Sequence, residues 1–98
     1  MTEIYDLDGD WYVITSDTER SELENELSRE ICSDHILHGV AASAVARRWR
    51  RDDVLFKLGD GKFAQLHLTR RPESNPTFPT TDIYETFAHW KAVPEEDR

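Results

Sequence analysis

Seven residues in the centre of the chain have the strongest potential for binding chemistry. Four arginines surround one tryptophan, and two further arginines follow the next predicted hairpin. Guanidinium groups bind phosphates and carboxylates through paired hydrogen bonds, and an indole ring stacks on nucleic-acid bases. The candidate binding residues are therefore Arg47, Arg48, Trp49, Arg50, Arg51, Arg70 and Arg71. The competing interpretation is a solvated strand edge whose charges prevent strands of different molecules from pairing.

A second group of residues has ligand types that suit a metal ion. Cys32, His35 and His38 are spaced three apart, and Asp34 or His67 could complete a set of four. A structural zinc site normally uses two separated ligand pairs, however, and only one such cluster is present. The alternative is a helix end at which the imidazoles hydrogen-bond to backbone carbonyls. We expect no metal and no cofactor.

An acid–histidine pair is the third candidate. Asp52 and Asp53 precede a predicted hairpin and His67 lies near its far end, so a tight hairpin brings them together. Such a pair can orient an imidazole for general-base catalysis. No serine or cysteine lies in a nucleophile elbow, and no glycine-rich phosphate loop is present. The pair is therefore expected to be structural, and the chain is not expected to be an enzyme.

Composition indicates one small folded domain with an uneven charge. The 98 residues have a net charge of −8, and 38% of them are hydrophobic. Residues 40–71 carry +5, whereas the flanking segments carry −9 and −4. This pattern allows an anionic ligand at the centre, but acidic helices that neutralise basic strands explain it equally simply and are favoured. One cysteine, no signal peptide and no long apolar run predict a cytoplasmic protein without membrane contact.

The elements expected to position these residues begin with a helix. Ser16, Asp17 or Thr18 is suited to cap it, and Leu23, Leu27 and Ile31 form a narrow apolar stripe. Gly39 is expected to end this region. In the segment 40–50 the alanines favour a helix, but the alternation and the hairpin that follows predict a strand. Residues 52–69 predict a hairpin around Gly59-Asp60-Gly61, with one buried and one solvated face.

The C-terminal part predicts a proline-rich loop and then a short helix within 82–92, begun by Asp82 and stopped by Pro94. The expected fold is α+β: an N-terminal helix and a short C-terminal helix on one face of a three-stranded antiparallel meander. Residues 11–15 are a candidate fourth strand. Residues 1–10 are expected to be a mobile acidic tail, 11–93 a single domain and 94–98 a solvated tail. The predicted core comprises Leu23, Leu27, Ile31, Val54, Phe56, Leu58, Ala64, Leu66, Leu68, Ile83, Phe87 and Trp90.

Three short motifs resemble those of a family of small uncharacterised bacterial proteins. The first is HxLxG, with His35, Leu37 and Gly39; the second is DDVLFxLxDG, residues 52–61; the third is HLT, residues 67–69. The resemblance covers roughly residues 21–90. Where the family often has tryptophan after HLT, this chain has Arg70. The resemblance implies no activity, because none is established for the family.

Size, acidity and the lack of catalytic groups favour a protein-interaction module over other classes. We expect a small non-enzymatic module, of the immunity-protein or antitoxin kind, that contacts a basic protein partner through an acidic surface. Charge of this kind mainly raises the association rate. The alternative is binding of nucleic acid or another anion through the arginine-rich strand and loop, with a metal site as a third and weaker hypothesis.

Overall fold

The described residues form a five-stranded antiparallel sheet with one helix on each face. A computed structural model describes Tyr5, Leu7 and residues 9–98. The strands are β1 (Trp11–Val13), β2 (Ala42–Arg48), β3 (Asp53–Leu58), β4 (Phe63–His67) and β5 (Thr80–Tyr84). They lie side by side in chain order, so every connection joins neighbours. The helices are α1 (Asp17–Glu30) and α2 (Phe87–Ala92), and a short 3-10 turn covers Glu95–Asp97. No helix in the described part is long and apolar enough to cross a membrane.

The α+β class is confirmed, but the strand count was underestimated. Residues 11–13 do form the candidate N-terminal strand, which pairs with the C-terminal end of β2. The unpredicted strand is β5, which begins in the expected loop and includes Asp82 and Ile83. Threonine, isoleucine and tyrosine favour strands, and β4 offers a pairing partner, so the expectation of a helix from Asp82 is wrong. The helix begins later, and its cap is Thr86, whose hydroxyl accepts the N–H of His89 at 3.1 Å.

The two helices cover opposite faces of the sheet, not one face as predicted. Leu23 and Leu27 of α1 pack with the face formed by Val54, Phe56, Leu58 and Leu66. Trp90 of α2 packs on the other face, with Trp11, Ala46, Leu55 and Phe63. The second face was expected to be solvated because its residues include Lys57, Gln65 and His67. Aromatic side chains from both ends of the chain cover it instead, and Ile83, expected in the core, is 38% exposed.

A β-bulge in β2 explains why the alternation in that strand was misleading. Ala44 and Ala46 were expected to share a face, as residues two apart in a regular strand do. The register shifts between them, and Ala44 packs beneath α1 while Ala46 packs beneath α2. One extra residue in a strand reverses the faces of all that follow it. Both alanines are fully buried, and their small side chains let the helices approach closely.

Turn and cap residues were predicted correctly in several places. Ser16 caps α1, because its hydroxyl accepts the N–H of Glu19 at 3.2 Å. The 59–61 turn closes the hairpin, and Gly61 has a φ of 92°, which glycine adopts at low cost. Helix α1 ends at Glu30, and Gly39, with a φ of 77°, lies in the irregular segment that leads to β2.

The ends of the chain pack on the α2 face where they are described. The expected tail at Met1–Ile4, Asp6 and Asp8 lies outside the described residues. The ring of Tyr5 lies 4.9 Å from that of Phe87, centroid to centroid. Arg98, in the segment expected to be solvated, is 6% exposed, and its guanidinium lies 4.3 Å from the ring centroid of Trp90. The division into one domain with two tails stays a prediction.

Candidate functional site

Adjacent arginines of β2 lie on opposite faces of the sheet. Arg47 pairs in register with Tyr12 and Val54, whose side chains lie on the α1 face. Arg48 pairs with Trp11, which belongs to the α2 face. Successive residues of a strand point to opposite sides, so this separation follows from strand geometry. The predicted arginine cluster therefore does not form one continuous surface.

Both of these arginines are bound to acceptors within the chain. Arg47 contacts Glu19 through Nη1 at 3.2 Å and Asp52 through Nη2 at 3.5 Å. Its Nε also donates to the backbone oxygen of Arg51 at 3.0 Å. Arg48 donates from Nη1 to the backbone oxygen of Arg98 at 2.7 Å. Each guanidinium is thus held in place by the fold.

Arg70 and Arg71 were predicted to project into water, and each has an acidic neighbour. Arg70 donates to a single oxygen of Asp52, at 3.0 Å from Nε and 2.7 Å from Nη2. Arg71 donates from Nε to Glu73 at 3.0 Å. The hydrogen bond with Asp52 raises the pKa of Arg70. Both side chains are exposed, as predicted, and Arg71 is the more exposed at 73%.

Trp49, Arg50 and Arg51 remain as an exposed corner between β2 and β3. Trp49 is 58% exposed although its backbone N–H donates to the backbone oxygen of Asp10 at 2.7 Å. Its ring lies 6.0 Å from that of Tyr12, centroid to centroid, with the two planes at 73°, and the Arg50 guanidinium lies 5.9 Å from the Trp49 centroid. Within the described part of the chain, Arg50 and Arg51 have no side-chain hydrogen bond or ion pair. We call Tyr12, Trp49, Arg50 and Arg51 the Trp49 corner.

Three of the six acidic residues of α1 hold the helix to the rest of the protein. Glu19 accepts a hydrogen bond from Tyr12 at 2.6 Å as well as the Arg47 contact, and Glu24 accepts the N–H of Ala44 at 3.0 Å. The third is Glu30, while Asp17 pairs with Arg20, and Glu26 with Arg29, inside the helix. Burial, and then the bond to Glu19, raise the pKa of Tyr12. One pair, Glu19 with Arg47, joins an acid of α1 to an arginine of a strand, and the neutralisation of basic strands by acidic helices stays a prediction.

Glu30 is the fully buried member of this acidic set, and sequence reasoning missed its role. Its Oε1 accepts the N–H of Thr69 at 2.7 Å and the hydroxyl of the same residue at 3.1 Å. Its Oε2 accepts the N–H of Arg70 at 2.9 Å. The available signal was its position, because Glu30 continues the stripe of Leu23 and Leu27 at helical spacing.

The protonation of Glu30 is linked to that of Glu26. Burial raises the pKa of Glu30, and its hydrogen bond with Glu26 raises it further, although the Thr69 and Arg70 donors act in the opposite direction. The same bond, followed by that from Arg29, lowers the pKa of Glu26. The two carboxyl groups therefore favour a state in which Glu30 carries a proton and Glu26 does not.

The predicted acid–histidine pair is present and has the geometry of a sheet contact. Asp53 and His67 are register partners in β3 and β4, and Oδ1 of the aspartate lies 2.8 Å from Nδ1 of the histidine. The imidazole is 63% exposed. No serine hydroxyl and no cysteine thiol of the described residues is hydrogen-bonded to this imidazole. The pair thus forms a cross-strand contact, as the sequence indicated.

The Cys32, His35 and His38 cluster is spread over an irregular segment after α1. His35 is 4% exposed and uses both ring nitrogens: Nδ1 accepts the N–H of Leu37 at 3.0 Å, and Nε2 lies 3.0 Å from the oxygen of Pro79. Since Nδ1 accepts, Nε2 carries the proton and donates to Pro79. His38 is exposed. Among the described residues, no group of three or more histidine, cysteine or acidic side chains is placed to hold a metal ion.

Two clefts flank the N-terminal half of β2. The larger has a volume of about 500 Å³ and lies between α1 and residues 37–42, with Glu24, Asn25, Ser28 and His38 in its lining. The smaller, of about 260 Å³, is lined by residues 41–43 and 57–59. Neither was predicted, because a cleft depends on where α1 crosses the sheet.

Comparison of the chain with protein-family models, with curated proteins and with solved structures finds no match. The resemblance noted in the sequence stays a prediction. Its motif residues have local structural roles here: His35 joins two segments, Leu37 is 2% exposed in the core and Thr69 binds Glu30. These motif residues therefore contribute to how the chain folds locally.

Proposed function

We propose that this protein is a non-enzymatic protein-interaction module that binds its partner through the Trp49 corner. The observation that carries the proposal is the exposure of Trp49, a large apolar ring at a turn whose backbone N–H is bonded to Asp10, flanked by two arginines without side-chain acceptors among the described residues. Tryptophan, tyrosine and arginine are the residues that most often dominate the binding energy of protein interfaces. The partner supplies an apolar pocket for the indole and carboxylates for Arg50 and Arg51.

The acidic surface expected from the sequence contributes less direct contact in this proposal. In α1, Glu22 is exposed and has no hydrogen bond or ion pair with a described residue, while the other acids are bound as described above. The net charge of −8 still acts at longer range. It raises the association rate with a partner whose overall charge is positive, as expected for an immunity-like or antitoxin-like inhibitor.

The arginine geometry favours a protein partner over nucleic acid. A surface that follows a phosphate backbone needs several free cations on one side of the molecule. Arg47 and Arg48 lie on opposite faces, and Arg47, Arg48, Arg70 and Arg71 have acceptors within the chain. The Trp49 corner retains two free arginines, which is enough for a local protein contact.

Capture of partners from the cells that produce the protein tests this proposal. We expect the wild-type chain to retain a specific protein that Trp49→Ala loses by roughly 30-fold, the effect of an interface residue worth about 2 kcal/mol. Ile36→Ala is the matched control, because Ile36 is 67% exposed and lies outside the corner. Equal loss in both variants, or no loss in either, would contradict the role of Trp49.

Titration with single-stranded RNA and duplex DNA at low salt tests the alternative function, which is nucleic-acid binding. Binding by the arginine strand and loop would weaken steeply with salt, because phosphate contacts release counterions. We expect no binding at tens of micromolar nucleic acid, a range close to that of nonspecific binders. Tight binding that Arg50→Ala and Arg51→Ala abolish would replace the protein partner with nucleic acid.

A further inference from the structure

The N-terminal half of β2 has an open backbone edge. β1 pairs only with Ala46–Arg48, so the described residues place no strand beside Ala42–Ala44 on that side. The oxygen of Ala41 accepts the N–H of Gly59 at 2.9 Å, across β3. The N–H of Ala42 belongs to the same peptide group and therefore points away from β3. By the same alternation, the oxygen of Ala42 and the N–H of Ala44 also face outward.

Glu24 shows what kind of group this edge accepts. Its Oε2 lies 3.0 Å from the N of Ala44, at the place where the carbonyl oxygen of a neighbouring strand would lie. The carboxylate is carried on a long side chain at the margin of the 500 Å³ cleft, so it can move aside and remain close by. An incoming strand then satisfies Ala44, and the released carboxylate favours a cation on that strand.

The two clefts lie where alternate side chains of an added strand would point. The cleft beside α1 is polar and contains Glu24, while the smaller cleft on the opposite face is bounded by Ala41, Leu58 and Gly59. Ser43 between them is exposed and Ala42 is half-buried, while Ala44 is buried beneath the Glu24 carboxylate and becomes accessible when that side chain moves aside. In strand addition, main-chain bonds give affinity and pockets for alternate side chains give specificity.

We propose that the Ala42–Ala44 edge binds an extended segment of a partner protein as an additional strand. The segment places a lysine or arginine next to Glu24 and its neighbouring apolar residue in the cleft bounded by Leu58. This site is separate from the Trp49 corner, since the added strand occupies the part of the β2 edge that β1 leaves open. The proposal of strand addition does not depend on whether the Trp49 corner binds a partner.

The probe is a capped hexapeptide, TVKVTV, whose lysine and valines alternate in the required way. With the isotope-labelled full chain, we expect the amide signals of Ala42 and Ala44 to shift on titration to about 1 mM, a range that covers weak peptide affinities. Exchange of the lysine for glutamate should weaken binding at least tenfold. No shift at these amides, or equal affinity for both peptides, overturns the proposal.

Two proline variants provide a matched comparison of sheet edges. Ala42→Pro removes an outward N–H, and proline is tolerated at an edge strand. In β5 the equivalent position is Ile83. The oxygen of Lys62 accepts the N–H of Leu58 in β3, so the N–H of Phe63, which belongs to the same peptide group, points toward β5. The main-chain groups of Tyr84, the register partner of Phe63, therefore point toward β4, and those of Ile83 point away from the sheet. We expect Ala42→Pro to abolish peptide binding and Ile83→Pro to preserve it. The reverse result assigns the peptide to β5 and overturns the proposal.

Sedimentation of the free protein tests whether a second copy of the chain occupies this edge. We expect a monomer, and a dimer that Ala42→Pro dissociates would show that a second copy of the chain occupies the edge instead. Trp49→Ala should leave peptide affinity unchanged within twofold. Loss of the peptide in Trp49→Ala would place it at the corner, contradicting a site on β2, whereas failure of the partner capture described above leaves the peptide result standing.

Discussion

Glu30 and Arg70 are joined through the backbone of Arg70 and not through its charge. The carboxylate accepts the N–H of Arg70 at 2.9 Å, while the guanidinium of the same residue contacts Asp52. Arg70 has a φ of 63°, and this turn follows Thr69, which donates two further bonds to the carboxylate. The end of α1 is thus fixed to the end of β4 by a fully buried acid.

This relationship makes the stability of the protein depend on pH. The raised pKa of Glu30 means that its contribution is complete at low pH and is lost as pH rises through the folded-state value. The lowered pKa of Glu26 gives a contribution that is present at higher pH and is lost as pH falls through its own folded-state value. We expect Glu26→Gln to flatten the decline of stability over the pH range in which folded Glu30 loses its proton, because its amide donates to ionised Glu30. Urea unfolding across this range measures it.

Glu30→Ala is the control for that experiment. It leaves the N–H groups of Thr69 and Arg70 without their acceptor, and we expect it to lower the free energy of unfolding by roughly 2–4 kcal/mol. Its pH dependence over the same range should be weaker than that of the wild type. A Glu26→Gln protein with an unchanged slope would show that the two carboxyl groups do not share a proton.

Local signals in the sequence were enough to predict the structural features that depend on residues close together in the chain. The hairpin around Gly61, the Ser16 cap and the Asp53–His67 pair could all be predicted, because short-range spacing determines them. The faces of the sheet could not be predicted, since one bulge between Ala44 and Ala46 reverses them. Strand β5 was missed because its pattern fits a short helix until β4 is available as a partner.

The candidate site was predicted as a set of residues but not as a surface. Charge and residue type identified the arginines, yet the sequence could not show which of them have acids nearby in space. Asp52 contacts both Arg47 and Arg70 because the β2–β3 turn and the end of β4 meet at one corner of the sheet. Trp49, Arg50 and Arg51 are exposed, and within the described part of the chain neither of these two arginines has an acidic partner. Pairings between distant segments decide this, and no local pattern encodes them.

His35 should be among the most important polar residues for stability. His35→Ala leaves the buried N–H of Leu37 without an acceptor and removes one of two donors to the oxygen of Pro79, which keeps the bond from Thr81 at 2.9 Å. We expect the free energy of unfolding to fall by roughly 1–3 kcal/mol, the cost of leaving one such group unsatisfied. His38→Ala, at an exposed position in the same motif, should change it by less than about 0.5 kcal/mol. Equal effects in urea unfolding would contradict the role of His35.

Purified protein should contain no stoichiometric zinc. Both ring nitrogens of His35 are committed to backbone bonds, so this imidazole can bind a metal only by losing one of them. We expect chelation to leave the thermal midpoint unchanged. Elemental analysis that gives a metal-to-protein ratio near one, abolished by a change of His35 or Cys32, would reverse this conclusion.

We expect Arg50 to lower the stability of the protein and to contribute to partner binding. Its φ of 60° lies in the left-handed region, where a side chain costs about 1–2 kcal/mol and glycine does not. Glycine also gains freedom in the unfolded chain, so Arg50→Gly should stabilise the protein by a net ~0.5–1 kcal/mol. Arg50→Ala keeps the strain and should leave stability within about 0.5 kcal/mol of the wild type. Both variants lose the guanidinium beside Trp49, so both should weaken capture of the partner. Urea unfolding and partner capture, measured on the same two variants, separate the effects. A stabilised Arg50→Gly protein with full partner capture would show that the strained arginine has no role in binding.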